Sequence, residues 1–472
     1  MQGRSVLRRR PVPVTQAGSF TTERGVDTML NGIISQIWNF INVNAGILQI
    51  LLTIVGFLVV TRNQLIREHF DTRLNNMKKT VEAISTDRNL FMEQGLALYR
   101  KQYEREDECR EFAREGGHLI YRNGWVDCKA PDGGYYPLRE FCPEIVGHYP
   151  STQYDIPYNA KLPDRKESYA ENCKFHLGKN LFDAPLYALK DMKTAPGTRP
   201  EITVTAGSYF DFYNTCEYLG FEMAYSRRIL GRHELNARNL PVRHRRRELF
   251  DTGNRFPGIG INTVTILKNM IDDVDAGGAR ASFFLLHKRG NLVAEGMGNY
   301  HVVPAGSYQP LREYAEREDT DSDHFAETMK NTVLREFGEE LLDYEEFLDL
   351  NTSDLLQRLD SILEPVFLGL GFEPLNTKTE VLAALFIDLE KEQDASLFGG
   401  RTRRSEYEKM LSGNGNYEGD VMLRPLTTAM LTQYENDSRS TASMKEIMRL
   451  MNKKENRALF GVRKSASFNY NG

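Results

Sequence analysis

Residues 325–344 read FAETMKNTVLREFGEELLDY. Glu336, Glu339 and Glu340 fall at i, i+3 and i+4, a spacing that sets three carboxylates on one helix face within about one turn. Val333, Leu334, Phe337 and Leu341 take other faces and can anchor the helix to a sheet. Like charges this close repel, so a cation is their natural neutraliser. Oxygen-only donors suit Mg²⁺ or Mn²⁺, which favour octahedral geometry and keep waters that a phosphate can replace. Arg335, beside Glu336, can orient a carboxylate through paired N–H bonds. A solvated acidic face partnered by Arg and Lys is the plainer reading of the same spacing. The helix is expected from about His324 to Leu348.

Strand patterns flank this helix. GIGINTVTIL (258–267), ASFFLLHKRG (281–290), NYHVVPAGSYQP (299–310, broken by Pro304 and Gly306), EPVFLGLGFEP (364–374) and TEVLAALFIDL (379–389) carry the β-branched and aromatic residues of strands. A last helix is expected over STASMKEIMRLMNKK (440–454), with Ser440 or Thr441 near its N-cap. Antiparallel runs separated by a long helix predict an α+β layered domain.

The carboxylate run resembles the Nudix box. That box reads Gly, five residues, Glu, seven residues, Arg-Glu-apolar-any-Glu-Glu, any, Gly, apolar. Glu327 is in register, with seven residues before Arg335, and Arg335, Glu336, Phe337, Glu339 and Glu340 follow in order. The strings HVVPAGSYQP and FFLLHKRG look like the strand and loop leading into the box and the strand before them. There are two departures. Twenty residues separate Gly306 from Glu327, so LREYAEREDTDSDH (311–324) reads as an insertion. Leu342 stands where the pattern closes on Gly, which normally ends the helix in a left-handed turn, so the helix is expected to continue through LLDYEEFLDL.

The resemblance covers roughly residues 255–460. It implies a Nudix-like α/β/α sandwich with a mixed sheet and a metal-dependent pyrophosphohydrolase acting on a nucleoside diphosphate-like small molecule. It also implies roles. Glu339 and Glu340 would be the main metal ligands. Glu336 would be a ligand or the base, Arg335 would orient it, Glu327 would support helix and loop, and the Gly306 carbonyl would help hold Mg²⁺ or Mn²⁺. Some members take a base from outside the box. Glu380 is the candidate here, against its plainer reading as a solvated strand-edge carboxylate. His301 and the basic cluster Arg245–Arg247 are places to look for substrate contacts. PVRHRRRE (241–248) also reads as a solvated loop. Other members only bind nucleotides, so a nucleotide- or ADP-ribose-sensing domain is the alternative function.

Upstream, Trp38–Val60 reads WNFINVNAGILQILLTIVGFLVV, nearly pure apolar from Ala45 on. As one helix it would cross a hydrocarbon core of roughly 30 Å. Arg62, Arg67, Arg73, Lys78 and Lys79 follow closely, so the positive-inside rule predicts a single pass with the C-terminal bulk in the cytoplasm. The expected division is a flexible tail (1–32), a membrane helix (33–61), a helical stalk (62–116), a middle region of unassigned fold (117–254), the carboxylate-bearing domain (255–460) and a tail (461–472). Ile202–Val204 and Tyr209–Phe212 suit strands. A homodimer through stalk or domain is compatible with the pattern.

Composition limits the rest. The 472 residues exceed one ordinary core. A net charge of −5 gives no global argument for nucleic acid, and no specific nucleic-acid partner is predicted. Five cysteines, Cys109, Cys128, Cys142, Cys173 and Cys216, are too widely spaced for a zinc knuckle and odd in number for a disulfide framework.

Overall fold

The computed structural model describes residues 23–464 except 44, 115, 151–167, 196, 237, 276, 291–297, 311–325, 343–353 and 414–418. The chain divides into two units, Met1–Asp71 and Thr72–Gly472.

The first unit is helical wherever it is described. Helix α1 spans Glu23–Val43 and α2 spans Ala45–Thr86. Helix therefore begins inside the segment read as a flexible tail, of which residues 1–22 lie outside the described residues. The apolar stretch from Trp38 to Val60 is shared between two helices flanking residue 44. The helix that includes Gln49–Thr86 is long and apolar enough to cross a membrane, and none of its apolar window is buried within the protein. Its large side chains, among them Ile54, Phe57 and Leu58, are exposed.

The second unit begins earlier than a free stalk would allow. Met77, Thr80, Ala83 and Ile84 on the end of α2, and Phe91, Met92, Tyr99 and Tyr103 on α3 (Arg88–Tyr103), are buried. Their three- and four-residue spacing is the apolar stripe of a helix lying on a body. Arg88 of α3 pairs with Glu373 at 2.8 Å, both ends nearly buried. The segment read as a stalk thus belongs to the second unit from Thr72 on, and to its core from Met77.

The unit is mixed α+β. Its main sheet has eight strands: β1 (Tyr136–Pro137), β5 (Ile259–Asp272), β6 (Ala279–Arg289), β7 (Tyr300–Val302), β8 (Ala305–Ser307), β9 (Val366–Phe372), β10 (Thr379–Asp388) and β11 (Gly419–Pro425). The order is β1-β9-β10-β5-β6-β11, with β7 on β6 and β8 on β5. β10 and β5 run parallel while the other pairs are antiparallel, so the sheet is mixed. β5 and β10 are buried almost end to end, as central strands covered on both faces must be.

Two helices provide that cover. The carboxylate helix, spanning Met329–Leu342, sends Leu334, Phe337 and Leu341 into a core with Leu267, Phe283, Leu285, Leu385 and Ile387. Each such side chain contributes about 1.5–3 kcal/mol by leaving water. The C-terminal helix, Ala442–Asn452, donates from Ser443 Oγ to Asn262 Oδ1 at 3.3 Å. Asn262 is in register with Leu382, which alternation puts on the face opposite Leu385, so the two helices cover opposite faces. Thr441 caps the second helix by accepting from Met444 N.

The region from 117 to 254 is no separate domain. Ile120 and Val126 bridge to Phe372 and Gly369 of β9, extending the main sheet. β2 (Glu144–His148), β3 (Pro185–Lys193) and β4 (Glu201–Ser208) form a second sheet in the order β2-β4-β3. Tyr209–Phe212, expected as a strand, is a helical turn. Ser208 accepts from Asp211 N and Asp211 accepts from Ser208 N, a reciprocal cap that starts a helix despite the aromatic run. At the other end, Arg463 bonds with Leu426 and Thr428, so the described part of the expected tail is tied down.

Candidate functional site

The carboxylate helix begins at Met329, so Glu327 precedes it rather than riding on it. Ala326 N and Met329 N donate to the carbonyls of Pro143 and Phe141, and these bonds hold the approach extended. The insertion 311–324 and the continuation from 343 lie outside the described residues.

Gly306 is brought back to the helix despite the sequence between them. β8 lies along β5, with Gly306 opposite Ile261. A Cβ on Gly306 would overlap the Glu336 carboxylate, so only glycine lets this side chain meet the backbone there. Glu340 Oε2 accepts from Ala305 N at 3.0 Å. Arg335 donates to Glu336 Oε1 at 2.8 Å and to the Ser307 carbonyl at 3.3 Å, and lies 3.9 Å from Glu339. Burial alone would lower the Arg335 pKa, but Glu336, Glu339 and Glu327 raise it above its ordinary value, so the guanidinium stays charged. The structure therefore gathers Arg335, Glu336, Glu339, Glu340 and Gly306 around one loop. Glu327 joins through its carbonyl, which accepts from the Tyr308 hydroxyl.

The side-chain donors gathered here are carboxylate oxygens, the chemistry a hard divalent cation takes. Among the described residues, no three His, Cys, Asp or Glu side chains converge as a metal-holding group. Glu336 is turned to Arg335 and Glu340 to Ala305, which accounts for the spread. The donor set fits Mg²⁺ or Mn²⁺ in kind, and closing on it requires these carboxylates to swing.

Two histidines sit behind the cluster, facing each other across β6 and β7. His287 Nδ1 is 3.9 Å from Glu340 Oε1, but this is no ion pair. Burial, aided by Arg289, pushes the His287 pKa down to about 4. Burial, Arg289 and Lys378 push His301 down to about 3, and its Nδ1 bonds the Val302 carbonyl at 2.8 Å. Both rings are neutral near pH 7.

Glu380 is buried, not solvated. It accepts from Asn262 Nδ2 and lies 3.7 Å from Lys378, because β10 is an interior strand here. Of the basic cluster, Arg246 and Arg247 are engaged with other partners. Arg243 and Arg246 are buried struts, donating to Tyr99 Oη at 3.0 Å and to the Thr215 carbonyl at 2.7 Å, and Arg247 pairs with Glu248 in solvent.

Beside Gly306 opens a cavity of about 170 Å³. It forms because β5 pairs with β6 only beyond Ile266, leaving β7 and β8 to bridge the splayed ends. Its walls include His301, Arg289 and Lys378 and, from the middle region, Leu186, Tyr209 and Phe212. Apart from His301, these residues carry no local sequence signal; they meet only through the splay and the second sheet.

No protein-family model matches the chain, and no curated protein is significantly similar to it.

Proposed function

We propose that this chain is a membrane-anchored, metal-dependent hydrolase of the Nudix type, acting on a nucleoside diphosphate-linked compound. One observation carries the reading: Glu336 packs into the space left by Gly306, so the two halves of the box motif, separated in sequence by a long insertion, meet with Arg335 between them. Glu336, Glu339, Glu340 and the Gly306 carbonyl would hold Mg²⁺ or Mn²⁺, which when bound neutralises charge on the phosphoryl oxygens. Arg335 fixes the Glu336 carboxylate. Glu336 takes the proton of a water whose oxygen bonds to phosphorus, while the bridging P–O bond breaks and its electron pair leaves with the departing phosphate. The apolar helix anchors the chain, and the basic residues after it keep the second unit cytoplasmic.

A second reading is a nucleotide sensor. It is favoured by the engagement of Glu336 with Arg335 and of Glu340 with Ala305, a resting arrangement that binding would have to rearrange.

The test uses the full chain in detergent micelles, with a panel of nucleoside diphosphate derivatives and Mg²⁺ or Mn²⁺. Released products are separated by chromatography, and Glu339→Gln with Glu340→Gln is the control. Metal-dependent turnover lost in the control establishes the hydrolase. No turnover, but a compound that raises the melting temperature, selects the sensor. Neither response sinks both.

A further inference from the structure

A second cavity, of about 650 Å³, lies between α3 and the chain around residues 233–248. Small-molecule sites occupy roughly 300–1,000 Å³. α3 turns Phe91, Met92, Tyr99 and Tyr103 into the core. Its neighbouring stripe, Gln94, Ala97, Leu98, Lys101 and Gln102, recurs at three and four residues and lines the cavity. From Gln94 to Gln102 this wall runs about 12 Å at 1.5 Å per residue. The facing wall is held off α3 by its own bonds. Asn239 Nδ2 donates to the Glu234 carbonyl at 2.7 Å, its Oδ1 accepts from Asn236 N at 2.8 Å, and its carbonyl accepts from Ser226 Oγ at 2.9 Å. Leu235 and Leu240 give this wall its apolar surface.

One buried charge at the cavity lacks an anion. Arg243 lines it and is 4% exposed. Its guanidinium donates to three neutral oxygens: Tyr99 Oη at 3.0 Å, the Pro374 carbonyl at 3.1 Å and the Leu375 carbonyl. Its Nε is buried without a hydrogen-bond partner. The neighbouring carboxylate, Glu222, is spent on the Val242 and Arg243 amides at 2.7 and 2.9 Å. A buried cation among neutral dipoles is a costly state that an anion relieves. The Pro374 carbonyl also lies against Gly95, which puts the guanidinium near the Gln94 end of the wall. There Gln94 Oε1 is likewise buried without a partner. At the far end Gln102 Nε2 donates to the Arg247 carbonyl at 3.0 Å, and the Arg247 side chain already has Glu248 at 3.2 Å. Burial, then Glu248, pushes the Glu106 carboxyl above its usual range, so a second negative charge is unwelcome at that end.

We infer that this cavity binds a small monocarboxylate with an apolar body. The carboxylate meets Arg243, and the body lies along Ala97, Leu98, Leu235 and Leu240. One uncompensated cation asks for one negative charge, and a guanidinium offers the planar fork that a carboxylate matches. None of the lining residues belongs to the carboxylate cluster, so the site stands or falls apart from the hydrolase reading.

The test uses the full chain in phosphatidylcholine nanodiscs, with empty nanodiscs as the partitioning blank. The probes are 2-naphthoate and its uncharged isostere 2-naphthamide, followed by the fluorescence of the naphthalene ring. The wild type is expected to prefer 2-naphthoate by about tenfold or more, the worth of a charge-assisted contact. Arg243→Gln is expected to abolish that preference. Arg247→Gln is expected to leave it within about twofold, because Glu248 already occupies that cation. Ala97→Trp fills the cavity from an exposed helix position and is expected to weaken both probes by about tenfold or more. Should Arg243→Gln melt early through its lost bonds to Pro374 and Leu375, the wild-type preference, Arg247→Gln and Ala97→Trp decide. Equal affinity of the wild type for the two probes overturns the inference and leaves an apolar groove for an uncharged partner. Undiminished 2-naphthoate binding in Ala97→Trp, a preference lost with Arg247, or no binding by the wild type overturns it as well.

Discussion

Gly306 is the residue on which the site turns, because the Glu336 carboxylate occupies the volume a Cβ would need. Gly306→Ala is expected to displace Glu336 from Arg335 and to lower metal-dependent turnover by about 10- to 100-fold, the usual effect of losing a group that positions a metal ligand. The melting temperature should fall only slightly, since the atoms in the way are the far end of a flexible side chain. Steady-state kinetics and a thermal melt on the same protein check both parts. His301 makes a different demand. Its folded pKa is about 3 against an unfolded value near 6.5. Between those values the unfolded chain holds the extra proton, so stability is complete above about pH 6.5 and declines as pH falls toward 3. The expected loss is on the order of 3 kcal/mol by about pH 4.5. Denaturant midpoints measured against pH should decline less steeply for His301→Gln than for wild type; parallel curves would refute the assignment.

Among the elements, the second sheet reaches the cavity by Leu186 of β3 and by the turn that follows β4. Ser208 and Asp211 cap one another, and the helix they start carries Tyr209 and Phe212. Ser208→Ala is expected to cost about 1 kcal/mol of stability, read as a lowered denaturant midpoint, because it removes one half of the reciprocal cap. This turn also marks where sequence reading stops. Strands β5, β6, β9 and β10 follow from their β-branched and aromatic runs, and the C-terminal helix from its cap and the spacing of its apolar residues. Tyr209–Phe212 misleads because aromatic residues favour strands, whereas two local hydrogen bonds exchanged by Ser208 and Asp211 decide the outcome. β11 escapes notice because its register against β6 is a long-range fact that a seven-residue run does not announce. The box carboxylates are legible from spacing alone. Their neighbours Arg289, Lys378 and Tyr308 are not, because only the sheet brings them there.

For the whole molecule, the boundary that matters falls near Thr72 and not at the end of the expected stalk. A chain lacking residues 1–71 is expected to remain folded and soluble without detergent. A chain lacking residues 1–103 is expected to aggregate, because it exposes the pockets of Phe91, Met92, Tyr99 and Tyr103. At about 1.5–3 kcal/mol for each buried side chain, that loss rivals the entire stability of a typical domain. Size-exclusion chromatography and a cooperative melt distinguish the two; equal behaviour would mean that α3 is a detachable stalk after all. The ion pair between Arg88 and Glu373 links residues 285 positions apart, and the bridge from Ile120 to Phe372 spans nearly as far. A ribosome adding roughly 5–20 residues per second therefore keeps the first partner waiting about a quarter of a minute to a minute for the second. During that interval the early aromatic helix can meet Arg243 but not yet the strand end that completes its cover. The birth of this protein, more than its mature fold, is the period when it is most exposed to loss.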